Sequence, residues 1–175
     1  MTRRGCATME FINTNEKIPA SEWFKLVVPM MREGYQLKIC PQGDSMIPFL
    51  RGGRDEAVLV VLDEDDKLLK NDIVLYPIEN GVHVLHRIYK INKHGIYTLG
   101  DSQIHIEGPM QRKDIIAVAA YIIRKGRKIE RSDRVYNILV SVWRWLRPYR
   151  RTIIVRYFQL KSLINRRNRQ KRVSG

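Results

Sequence analysis

Between Tyr35 and about Ile123, hydrophobic and polar residues alternate in short runs. Leu37 and Ile39 alternate with polar neighbours, Ala57 to Leu62 is an apolar stretch suited to a strand buried on both faces, and Ile73 to Tyr76 forms another strand. Glu79-Asn80-Gly81 reads as a hairpin turn into a long strand from Val82 to Ile91, and His94-Gly95 turns that strand into Ile96 to Leu99. Asp63 to Lys70 is a polar, acidic loop, and a last strand runs from Ile115 to Ile123. Short strands with a turn about every ten residues predict a mainly β body, small, coiled and β-barrel-like.

The flanks differ. Residues 1–20 carry Asn13, Thr14, Asn15 and Pro19 and predict an irregular lead-in. Ser21 and Glu22 open a short helix to about Arg32, with Pro29 late in it and Gly34 to close it. Beyond residue 123, Asp133 is placed to cap a helix in which Val135, Ile138, Leu139, Val142 and Leu146 recur at helical spacing, and Pro148 ends it. A second run sets Ile153, Ile154, Tyr157 and Ile164 towards one side among Arg150, Arg151, Arg156 and Lys161. The chain therefore divides into a lead-in and helix (1–34), a β-rich domain (35–123) and a basic amphipathic helical tail (124–175).

Charge sharpens that division. Residues 124–175 hold 17 Lys and Arg against two Asp and Glu, whereas the rest of the chain holds 15 against 16. Such a tail either stays solvated, packs its apolar sides on the β body, or meets a phosphate-rich surface. Trp143, Trp145 and Tyr149 among Arg144, Arg147, Arg150 and Arg151 suit an anionic membrane surface better than nucleic acid. No stretch has the ~20 uninterrupted apolar residues of a spanning helix, and no signal peptide is evident, so a cytoplasmic place is expected, with peripheral contact at the inner membrane face. Cys6 and Cys40 show no metal-ligand spacing, so neither a metal nor another cofactor is expected.

Three segments bear candidate chemistry. Gly43-Asp44-Ser45-Met46-Ile47-Pro48 follows a strand, and a serine at a glycine-bounded turn has an exposed hydroxyl and free backbone N–H groups, although Gly-Asp-Ser is also an ordinary turn composition. In Val82-His83-Val84-Leu85-His86-Arg87-Ile88, alternation puts His86 on the apolar face with Val84 and Ile88, where it is either a satisfied core histidine or a base. Asp101, in Leu99-Gly100-Asp101-Ser102, is either a turn residue or the carboxylate that orients His86. Asp72 reads as structural, and His83, His94 and His105 read as surface or loop residues.

The order Gly-x-Ser-Met-x-Pro, Asn-Asp-Ile-Val, Leu-His-Arg-Ile and Gly-Asp-Ser, spanning Lys38 to about Val118, resembles the ordered boxes of type I signal peptidases and their SOS-repressor relatives. With His86-Arg87 it is similar to the histidine-base branch of that clan. The resemblance implies a mostly β serine endopeptidase with Ser45 as nucleophile, His86 as general base and Asp101 as its orienting carboxylate. Gly43 stands where many bacterial relatives carry a serine that helps stabilise the oxyanion, which leaves the backbone N–H groups of Ser45 and Met46 for that task. The lead-in has Gly5-Cys6 and no Ala-Gly bond, so a peptide or protein substrate cleaved in trans is expected rather than self-cleavage. The alternative is a non-enzymatic membrane-surface or nucleic-acid binding module.

Overall fold

In the computed structural model, residues 8–10, 20–63, 66–78 and 82–160 are described. The chain forms β1 (Thr8–Glu10), α1 (Ala20–Arg32), β2 (Gln36–Ile39), β3 (Glu56–Val60), β4 (Ile73–Pro77), β5 (His83–Asn92), β6 (Gly95–Leu99), β7 (Glu107–Met110), β8 (Ala117–Arg124), β9 (Arg127–Glu130) and α2 (Arg134–Trp145). Among the described residues, all nine strands join one sheet in the order β1-β2-β3-β8-β4-β5-β6-β7, with β9 added beside β8. Every pairing is antiparallel except β1 with β2. The expected mainly β body is present, but its sheet stays open instead of closing into a barrel.

Both faces of this sheet are apolar. On one, Val27 and Met31 of α1 pack with Leu37, Leu59, Leu75, Leu85, Ala119 and Ile122. On the other, Val74, Tyr76, Ile88, Ile96 and Val118 form a second cluster. Arg87, expected opposite the apolar face, is therefore as buried as His86 beside it.

Three further differences have local causes. β1 lies within the expected irregular lead-in, held by backbone pairing to β2. β7 was hidden in Glu107-Gly108-Pro109-Met110, where glycine and proline mask strand pattern, and β9 in the charged Arg127-Lys128-Ile129-Glu130. The sheet thus extends past Ile123 to Glu130. Pro148 lies in a 3-10 turn, Arg147–Tyr149, after which the chain is helical again over residues 150–160. The expected Asp133 cap forms, its carboxylate accepting from Tyr136 N–H at 2.8 Å. The turn at Glu79-Asn80-Gly81, and Ile164, lie outside the described residues.

Candidate active site

Ser45 sits in a tight loop between β2 and β3. The loop closes at a neck where Gly52 N–H donates to Gly43 C=O at 3.2 Å and Gly53 N–H to Pro41 C=O at 2.9 Å. A Cβ on Gly52 would lie 2.2 Å from that Gly43 oxygen, so the crossing requires glycine. Beyond the neck, Met46 and Leu50 are buried in the α1-side core and anchor the loop. The Ser45 hydroxyl makes no hydrogen bond with a described group, and the Ser45 and Met46 N–H groups donate to no described acceptor. Those two donors are the ones expected to face an oxyanion.

His86 lies on the opposite face of the sheet, paired with Val74 of β4. Three other strands, β4, β6 and β7, each add one polar side chain to its hydrogen-bond network. Tyr76 Oη is 2.9 Å from His86 Nδ1 and 2.8 Å from Thr98 Oγ1, and it donates to Glu107. Glu107 Oε1 stands 3.4 Å from the same Nδ1. Tyr76 has one proton, and giving it to Glu107 leaves its oxygen to accept from Thr98 Oγ1–H and from His86 Nδ1–H. That inventory assigns the His86 proton to Nδ1 and leaves the lone pair on Nε2. Burial pushes the His86 pKa below its ordinary value, against the opposing pull of the Glu107 carboxylate and, more weakly, of Asp101, so the ring is neutral at pH 7. Burial, with Glu107 alongside, raises the Tyr76 pKa, keeping the phenol a donor.

Asp101 does not hold His86. Its carboxylate accepts from Arg87 Nε at 2.9 Å and Nη2 at 2.8 Å, a two-pronged pair buried on the α1 side of the sheet. The cause is strand alternation: His86 and Arg87 are neighbours in β5 and point to opposite faces, and Asp101 lies on the arginine's side. Arg87 also donates to Asn71 C=O and to Tyr136 Oη, and its guanidinium stacks between the Phe49 and Tyr136 rings. Burial opposes the arginine's charge, yet the neighbouring Asp101 carries its pKa above the ordinary value. The groups that meet the imidazole are Tyr76 and Glu107, not the Asp101 expected there. Asp72, read as structural, accepts from Arg131 and from Leu69 N–H.

The Ser45 backbone meets the turn that follows β6, the strand beside His86. The β5–β6 register pairs Ile88 with Thr98 and Arg87 with Leu99, where the ladder ends; one step further along the same register would bring Gly100 across from His86. By alternation, the Cβ that Gly100 lacks would point to the His86 face. That Cβ would stand 2.8 Å from the Ser45 carbonyl oxygen, which also accepts from Ser102 N–H at 2.8 Å and Ser102 Oγ at 3.0 Å. The serine loop therefore rests on the turn that follows β6. No hydrogen bond joins Ser45 Oγ to His86, whose hydrogen-bond partner is Tyr76.

The same turn is gripped from behind by side chains that sequence periodicity assigned to a tail. Arg150, 1 % exposed, donates to Gly100 C=O and Gln103 C=O, and Trp143 Nε1 donates to Asp101 C=O at 2.6 Å. A groove of about 420 Å³, lined by neither Ser45 nor His86, opens beside Asp44 and Ile47, with Gln103 and His105 in its lining and Ile154 and Phe158 as its wall. Tyr76, Glu107 and Arg150 carried no signal in the sequence, because each acts through a cross-strand or long-range partner that no spacing encodes. Among the described residues no cluster of side chains suits a metal ion, and no helix is long and apolar enough to cross a membrane.

Comparison with protein-family models, curated proteins and solved structures finds no match for this chain.

Proposed function

We propose that this chain is a serine endopeptidase of the signal-peptidase and SOS-repressor type that cleaves a peptide or protein in trans. One observation carries the reading: the Ser45 loop rests on the turn that follows β6, the strand beside His86, whose Nδ1 is occupied and whose Nε2 is left as a base. In this reading Nε2 takes the hydroxyl proton as Ser45 Oγ attacks the scissile carbonyl. The carbonyl oxygen, now negative, turns towards the Ser45 and Met46 N–H groups. The imidazolium, its Nδ1–H held by Tyr76 Oη and its charge steadied by the nearby Glu107 carboxylate, returns the Nε2 proton to the leaving amine, and water repeats the cycle on the acyl-enzyme. The apolar groove beside Asp44 and Ile47 supplies room for substrate side chains, and a working place in the cytoplasm or at an inner membrane face fits this reading. The missing Ser45–His86 hydrogen bond favours the second reading, a binding module on the same β fold.

A fluorophosphonate probe separates the two. Attack of Ser45 Oγ on phosphorus with loss of fluoride labels the wild type and leaves Ser45→Ala unlabelled. His86→Ala should label about 10²–10⁴ times more slowly, the usual contribution of general base catalysis. Equal labelling of wild type and Ser45→Ala, or none of the folded wild type, removes the peptidase reading.

A further inference from the structure

We infer that the outer face of α2 seats on an anionic lipid bilayer, an inference independent of the peptidase reading. The helix carries apolar residues on two sides. Its inner side is fixed: Val140 is fully buried, Tyr136 meets Arg87 and Phe49, Trp143 bonds to Asp101 C=O, and Arg144 reaches Asn71 and Tyr89 C=O. Those contacts prevent the helix from rolling, so the outer stripe of Val135, Ile138, Leu139, Val142, Trp145 and Tyr149 points away from the body. Its exposure ranges from 53 % at Val142 to 80 % at Trp145, and no described element covers it. A contiguous apolar stripe of this kind on a short helix marks a contact surface rather than a solvated face.

Charge selects the occupant. From Arg134 to the end of the chain there is no Asp or Glu, while Arg134, Arg151 and Arg156 are exposed near the stripe in sequence. Self-association through the stripe would gather like charges, which disfavours a second copy. Nucleic acid would meet the arginines but gain little from valine, isoleucine and leucine, which offer no stacking surface to bases. Anionic headgroups complement the arginines while acyl chains take the aliphatic side chains, and Trp145 and Tyr149 suit the boundary between the two.

The test is sedimentation of the full chain with vesicles of phosphatidylcholine alone or with phosphatidylglycerol. Binding is expected to the anionic vesicles, weakened by salt and at least tenfold stronger than to the zwitterionic ones. The variant Ile138→Ser/Leu139→Ser/Val142→Ser should lose at least tenfold in binding with an unchanged melting temperature, and Ser45→Ala should bind like wild type. Unchanged binding by the triple variant would overturn the assignment, as would no binding by wild type. So would a solution dimer that the triple variant dissolves, or a lower melting temperature in that variant, which would place the stripe against the chain's own remaining residues.

Discussion

At the scale of single residues, two carboxylates near His86 have separate tasks, and substitution should separate them. Glu107 faces the imidazole and favours its charged form; Asp101 neutralises an arginine sealed in the core. Burial holds the His86 pKa below the ordinary 6.5, so the acid limb of kcat/KM should fall below that pH in the wild type. Glu107→Gln removes the carboxylate that raises the value, and should move the limb further down while slowing the reaction on the order of tenfold to a hundredfold, part of what a general base supplies. Asp101→Asn should leave the limb nearly in place but cost about 3 kcal/mol or more in urea unfolding, because it strands the Arg87 charge. Both pH profiles come from one peptide-cleavage series; a limb that moved with Asp101 and stayed with Glu107 would reverse the assignment. Ser45, His86 and Asp101 were legible as candidates because motifs record residue type and order. Which carboxylate meets the imidazole was not legible, since that depends on the face to which each neighbour in β5 points.

At the scale of elements, the strands were readable where one residue pattern met one environment. Ile73–Pro77 is a compact apolar run and His83–Asn92 is ten residues long, enough for either to read as a strand, whereas β7 and β9 are four residues each and borrow their order from β6 and β8. The apolar run Ala57 to Leu62 read as two-sided burial; the strand spans Glu56–Val60, and Ala57, Val58 and Leu59 are buried while Val60 to Leu62 are half-buried. The junction of the serine loop with the β6 turn is an element contact that no local pattern announces, and Gly100 tests it. A Cβ there would stand 2.6 Å from Gln103 Oε1 and 2.8 Å from Ser45 C=O. The glutamine can swing aside; the serine backbone, tied down by Ser102, must shift. Gly100→Ala is therefore expected to cost about 1–3 kcal/mol in stability, as overpacking does. It should also lower probe labelling of Ser45 on the order of a hundredfold, the loss typical of a displacement near 1 Å. Labelling at the wild-type rate would mean that the loop does not depend on this turn for its position.

At the scale of the whole molecule, the basic C-terminal region is not one thing. By composition residues 124–175 form a single charged tail, yet β9 completes the sheet, α2 closes over Arg87, and Arg150 ends buried against the turn beneath Ser45. Composition misled here because it counts charges without regard to what each meets: the Arg150 guanidinium is surrounded by backbone carbonyls and the Trp143 ring, and burial lowers its pKa. Two truncations divide the region. Ending the chain after Ser132 uncovers the Arg87–Asp101 pair and removes Val140, Tyr136 and Trp143 from contact, so a loss of about 3–5 kcal/mol or of cooperative folding altogether is expected. Ending it after Leu160 removes six Lys and Arg and no acidic residue, and leaves every contact just named in place. The melting temperature should then stay within a few degrees of wild type, while binding to anionic vesicles loses part of its salt dependence. Equal stability of the two truncated chains would show that α2 and Arg150 are carried by the sheet rather than supporting it, and the grip on the Gly100–Gln103 turn would have to come from Arg87 and Ser45 alone.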